Sequence, residues 1–151
     1  MTYALAVLEL PFLRLDPDAA VPAYAKPGDA GVDLVSTAEI KLSAGGGRGV
    51  VPTGIAVAIP DGYAGFIQPR SGLARNHGVT CLNTPGLIDS GYRGELQVLL
   101  INTDPVDDFI VKPGERVAQL VIQAVEQVTF VRVDELPSSD RGDGGWGHTG
   151  R

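Results

Sequence analysis

The sequence predicts an all-β domain, a jelly-roll-like sandwich or barrel with one short helix and a flexible glycine-rich C-terminal arm. Three observations carry that expectation. Turn signals recur as Pro27-Gly28-Asp29, Gly45-Gly46-Gly47, Pro52-Thr53-Gly54, Pro60-Asp61-Gly62, Pro85-Gly86 and Pro113-Gly114. Between them lie short β-branched and aliphatic runs of strand rather than helix length. The last eleven residues, 141–151, place five glycines around Trp146, the only tryptophan of the chain. Such a segment does not build a core, yet disordered tails rarely keep a large aromatic.

The first strand is expected over the apolar residues 4–10 and the second over 32–36, after the Pro27 turn. Residues 54–59 form the third, between the Pro52 and Pro60 turns. There Ile55, Val57 and Ile59 share one face by the two-residue repeat, and Ala56 and Ala58 keep the other face small and apolar, as in a strand covered on both sides. Residues 63–68 follow as the fourth. A helix is expected over 71–76, where Ser71 suits a cap and Leu73, Ala74 and Arg75 favour helix. Strands over 95–101, 116–124 and 127–133 complete the core. A polar hinge at 137–140 then leads into the arm, dividing one domain into a 1–136 core and a 137–151 hinge and arm.

A chain of 151 residues, 44% hydrophobic and 20% charged, is long enough for one core of its own. No apolar run approaches the roughly 20 residues of a membrane-spanning helix, and the start lacks a basic leader. Net charge of −6 argues against a nucleic-acid surface, which needs a basic stripe. Cys81 is the only cysteine, so no internal disulfide forms and the thiol is expected as a small buried hydrophobe. Together these features give the expectation of a cytoplasmic protein.

Five segments carry chemistry. Asp29-Ala30-Gly31-Val32-Asp33-Leu34 sets two carboxylates beside a glycine at a strand entrance, suited to a metal-bound water or to a tight turn. Pro69-Arg70-Ser71-Gly72-Leu73-Ala74 puts a guanidinium, a hydroxyl and a free Gly N–H where a helix begins, a phosphate cradle or a plain cap. Residues 83–94, Asn83 to Gly94, read as a hairpin with a tip of turn residues that carries Asp89 and Tyr92; alone, Asp89 would more often serve an Asx turn than act as a base. Gln119 stands on an otherwise apolar strand, either functional or facing solvent from an edge. Arg141 and the glycines after it supply N–H groups and a forked cation for an anion, with Trp146 able to cover a base.

In this order the five segments resemble the five motifs of the trimeric dUTPase family, the dUTP pyrophosphatases, over about residues 25–150. The resemblance implies hydrolysis of dUTP to dUMP and pyrophosphate by Mg2+-assisted water attack on the α-phosphorus, which keeps uracil out of DNA and supplies dUMP for thymidylate synthesis. By that resemblance Asp89 is the catalytic base. Asn83 and the backbone around Gly86 and Ile88 read uracil, and Tyr92 packs under the deoxyribose and excludes a 2′-hydroxyl. Arg70, Ser71, Gly72 and Gln119 grip the phosphates, while Asp33 holds water around Mg2+. Arg141, Gly144, Gly145 and Gly147 belong to an arm that closes over the triphosphate, with Trp146 stacked on uracil. The resemblance also implies a homotrimer whose three sites are each shared between chains. Trp146 stands where the family most often has phenylalanine, and His148 where a small hydroxyl residue is usual.

Phosphoryl transfer is catalysed mainly by positioning and charge stabilisation, which suits this set of one carboxylate, cationic side chains and backbone donors. Two other functions compete. A dCTP deaminase of the same fold needs a catalytic glutamate, and Glu95 is the nearby candidate. A catalytically silent nucleotide-binding module needs no base, which leaves Asp89 unexplained.

Overall fold

The computed structural model describes residues 8–145. Among them are ten strands and one helix: β1 (Phe12–Arg14), β2 (Val32–Val35), β3 (Ile40–Leu42), β4 (Arg48–Val57), β5 (Tyr63–Pro69), α1 (Ser71–His77), β6 (Val79–Cys81), β7 (Gly86–Ile88), β8 (Glu95–Asn102), β9 (Phe109–Val111) and β10 (Arg116–Ala124). They build two four-stranded antiparallel sheets, ordered β1-β4-β8-β6 and β2-β10-β5-β7, with β3-β9 as a separate ribbon. No described helix is long and apolar enough to cross a membrane.

The period-two repeat explains how the sheets face each other. On β8 the residues Leu96, Val98, Leu100 and Asn102 are buried and the residues between them are not. They meet Leu34, Ile67 and Leu120 of the other sheet in one core. Fully buried Asn102 is satisfied: its amide donates to the carbonyls of Leu42 (3.2 Å) and Asp107 (2.8 Å) and accepts from Asp104 N–H (3.0 Å). This polar staple fixes the β3-β9 ribbon to the end of β8.

Five expectations are corrected. Leu8–Leu10, the described part of the first expected strand, joins no sheet, and β1 lies at Phe12–Arg14, paired with β4. The third strand begins at Arg48, because Pro52-Thr53-Gly54 is a bulge inside β4 rather than a turn before it. Gly54 has φ 68°, and a β-carbon there would stand 2.7 Å from Cβ of Asp16, so only glycine fits the bend. Residues 127–133 have the strand pattern but no partner: 126–143 are exposed throughout, Phe130 at 93%. Arg70, not Ser71, is the residue before the first helical turn, and no side chain caps it. Residues 83–94 are no hairpin, since β6 pairs with β8 and β7 with β5, so the segment crosses between sheets and returns.

Candidate active site

Cross-strand register assembles the first part of the site. Asp33 on β2 lies opposite Gln119 on β10, and Gln119 lies opposite Gln68 on β5. Directly opposed residues project to the same face, so these side chains form a polar row across three strands. β10 is interior to its sheet, so Gln119 is not an edge amide facing solvent. A β-carbon at Gly31 would stand 3.1 Å from Cβ of Gln119, so the glycine of the first segment lets the chain pass close against that side chain.

β5 ends at Pro69 and delivers Arg70 beside the row. Arg70 Nε stands 3.3 Å from Asp33 Oδ1, and its Nη1 donates to the Arg116 carbonyl at 3.2 Å. Arg116 Nη1 donates to Asp33 Oδ2 at 3.3 Å. The Asp33 carboxylate, 17% exposed, therefore sits between two guanidinium groups. Its Oδ1 is shut off from solvent and has no aligned hydrogen-bond donor, so the Arg70 contact is a charge contact and leaves that oxygen's hydrogen-bonding capacity unused. Ser71 and Gly72 are exposed in the first turn of α1, which has no acidic residue to compete with an anion. A cleft of about 520 Å3 opens beside them, between Arg70, Leu73, His77, Lys112 and Arg116.

The second part lies on the 83–94 segment. The Asn83 amide folds back over Gly86, 3.3 Å from where a β-carbon would stand. Ile88 packs against the core, and exposed Asp89 follows it at the end of β7. The loop is held by its own bonds: Tyr92 N–H donates to the Asp89 carbonyl at 3.1 Å and Tyr92 OH to the Glu95 carbonyl at 2.9 Å. Arg93 Nη1 donates to the carbonyls of Ser90 (2.6 Å) and Tyr92 (2.8 Å). The Tyr92 ring covers Gly94, where a β-carbon would collide with it. Sequence reasoning gave no role to Arg93 or Arg116. For Arg116 a signal exists, since Val117 and Ala118 after it are apolar in succession and break the strand alternation.

The two parts are apart within one chain. Ile88 lies opposite Gly65, three residues along β5 from Gln68, and β7 and β2 are the two edges of the sheet. At about 3.3 Å per residue and about 4.8 Å per strand, Asp89 is on the order of 20 Å from Asp33. The third part is also separate. Arg141 Nε donates to the Gly144 carbonyl at 2.9 Å, and Gly142 N–H to the Ser139 carbonyl at 3.0 Å, in a turn beyond the unpaired residues. Gly145 has open space around it. Trp146, Gly147 and His148 lie outside the described residues.

Other ionisable groups have structural partners. Both Glu95 oxygens are occupied, Oε1 accepting from Gly54 N–H at 2.8 Å and Oε2 from Gln97 at 3.3 Å, so Glu95 braces the β4 bulge and is not a free deaminase base. Burial pushes the Cys81 thiol up to about 11, so it is no nucleophile. Asp108 is held below the usual carboxylate range by Lys41 and the Ala44 N–H, and Asp104 by the N–H groups of Asp107 and Val106. No group of three or more His, Cys, Asp or Glu converges among the described residues, so they form no all-protein metal cage.

A family model described as dUTPase matches residues 17–150. The deoxyuridine 5'-triphosphate nucleotidohydrolase of Thermobifida fusca (strain YX) is 61% identical over 137 residues, 91% of this chain and 76% of that relative. Its namesake in Streptomyces coelicolor is 54% identical over 145 residues, 96% and 79% of the two chains. Among solved structures, the Staphylococcus bacteriophage 80alpha dUTPase with dUpNHpp is similar at TM-score 0.87 and 27% identity, covering 96% of this chain and all of that one (100%). A variant dUTPase of phage phi11, described with a structural Mg(II) ion, is similar at TM-score 0.77 and 25% identity, covering 85% and 98% of the two chains. A family match across nearly the whole chain, with a relative 61% identical over 91% of it, establishes that the chain belongs to the dUTPase family.

Proposed function

We propose that this dUTPase cleaves dUTP to dUMP and pyrophosphate in sites shared between the chains of a homotrimer. The observation that carries this reading is the separation of Asp89 and Tyr92 from Asp33, Arg70 and Gln119, too great for one nucleotide to be handled by both groups of a single chain. A second copy supplying the 83–94 loop closes that gap. Residues 126–143, exposed and unpaired in their own chain, suit an arm that reaches a neighbour and carries Arg141 to its site.

Each residue then has one task. Arg70, Ser71, Gly72 and Gln119 hold the phosphates, while Asn83 and the backbone at Gly86 and Ile88 read uracil. Tyr92 packs under the deoxyribose, its hydroxyl tied to Glu95, so a 2′-hydroxyl meets the ring. Asp89 takes a proton from water as the water oxygen bonds to the α-phosphorus. The bond from that phosphorus to the bridging oxygen breaks, and pyrophosphate leaves with the electron pair. A carboxylate base of this kind contributes about 10²- to 10⁴-fold. Mg2+ on the triphosphate oxygens and water would spread the charge of the leaving group. By the family resemblance Asp33 would accept a hydrogen bond from such a water, and its Oδ1, buried and without a donor in the chain, has that capacity unused. Arg141, Gly144, Gly145 and Gly147 close over the phosphates, with Trp146 on the base. A nucleotide substrate of this kind is consistent with a cytoplasmic protein.

Mixing two dead variants tests the shared site. Asp89→Asn and Arg70→Gln subunits, unfolded and refolded together, regain activity at about a quarter of the sites if each site draws the two residues from different chains. No recovery in verified mixed oligomers would place both residues in one chain's site and overturn the proposal.

A further inference from the structure

We propose that Arg116 is a positioning residue for the phosphate grip, acting through Asp33 and Arg70; the inference rests on the dUTPase reading above. Its placement comes from a defect in the ladder. Along β10 and β2 the partners are Leu120 with Val32, Gln119 with Asp33 and Ala118 with Leu34, but Arg116 is opposite Val35, so Val117 is an extra residue. In an unbroken ladder Arg116 would lie opposite Ser36 and face away from Asp33. The bulge turns it onto the face that Asp33 and Val35 share. Val117 and Ala118 are both buried, as a bulge with two successive inward residues requires.

From that position Arg116 holds Asp33 Oδ2 by its guanidinium and Arg70 Nη1 by its carbonyl. Asp33 Oδ1 faces Arg70 Nε. Arg70 Nε is thus held against a carboxylate by charge and one N–H of Nη1 is given to a carbonyl, leaving Nη2 and the other N–H of Nη1 to reach phosphate oxygens. A free arginine carries several rotatable bonds and loses that freedom when it binds, so an arginine fixed beforehand binds more tightly. The triad also keeps one net positive charge, because two guanidinium groups face one carboxylate. Arg116 itself is 55% exposed, so a cavity left by its removal is not the main effect.

Titrations of dUpNHpp and dUMP, without Mg2+, test this in the assembled protein, alongside steady-state kinetics with dUTP. Arg116→Gln should raise the Kd of dUpNHpp about tenfold and that of dUMP less than about twofold, and R116K should recover part of the loss. Added to R70Q, R116Q should change the dUpNHpp Kd by less than about twofold, because the residue it positions is gone. A full effect of R116Q in the R70Q background would mean direct attraction or general loosening and would overturn the proposal. So would an unchanged dUpNHpp Kd in R116Q, or in R116K should R116Q not fold. Failure of the unaltered protein to cleave dUTP would instead defeat the dUTPase reading, which these binding ratios do not depend on.

Discussion

The row across β2, β10 and β5 and the 83–94 loop solve different problems with different means. In the row, strand register sets Asp33 against Gln119, and two arginines from distant parts of the chain fix the carboxylate. In the loop beyond β7, the bonds that shape the turn after Asp89 each span three residues: Tyr92 to Glu95, Tyr92 to Asp89, Arg93 to Ser90. The row is held by contacts within the chain, which suits the proposed phosphate grip, because a surface ordered by its own contacts spends little binding energy on ordering itself. The loop presents Asp89 to solvent with only its local turn fixed, which on the proposed reading leaves its alignment to the nucleotide and a second copy of the chain. Affinity is therefore expected to reside in the row and turnover in the loop.

Asp89→Asn gives the sharpest test of that division. It keeps shape and removes the base, so kcat should fall by about 10²-fold or more while the Kd of dUpNHpp changes less than about threefold. Removal of residues 141–151 is expected to cost less, more than about tenfold in kcat/KM, because alignment and closure are lost but the base remains. Its melting temperature should stay within a few degrees, since β10, the last described strand, ends at Ala124. A collapsed melting temperature would make the arm part of the fold. An unchanged kcat/KM would make it idle.

These differences also explain what the sequence disclosed. β8 was legible because a buried residue recurs at alternate positions, but β4 was halved because Pro52 and Gly54 mark turns as readily as bulges. Residues 127–133 satisfy the strand pattern and still form none, since a pattern supplies a face and not a partner. Asp33, Arg70, Asn83, Asp89 and Gln119, each ambiguous alone, were legible as candidates from the order of the five segments. Their grouping into two distant parts was not, because it depends on strand order and register. Arg116 was hidden for the same reason: its face follows from one extra residue in a ladder whose partner strand is over eighty positions away.

Tyr92 separates shape from tethering within the loop. Tyr92→Ala removes the ring and should raise the UTP-to-dUTP ratio of kcat/KM about tenfold, by admitting the 2′-hydroxyl. Tyr92→Phe keeps the ring and loses only the bond to the Glu95 carbonyl, so the ratio should move by less than about threefold. Equal ratios in the two variants would assign sugar discrimination to the tether, and no change in either would assign it to another residue.

The smallest effect concerns the base from which the loop springs. Cys81 ends β6, pairs with Leu100 and is 2% exposed, and Leu82 N–H still donates to the Leu99 carbonyl at 2.9 Å one residue later. If looseness begins only beyond this point, the thiol should react with iodoacetamide at pH 8 no faster than the protein unfolds, and dUpNHpp should slow it only as far as it slows unfolding. Burial raises the folded thiol to about 11 from an ordinary value of 9.0, so between those pH values the unfolded chain loses the proton first. Fewer protons on the unfolded state means that stability falls as pH rises through that window, by on the order of 2 kcal/mol, and the fall should shrink in Cys81→Ala. Fast labelling at pH 8, slowed by nucleotide, would show β6 opening together with the loop. The boundary between the prebuilt and the adjustable parts would then lie inside the sandwich rather than at Leu82.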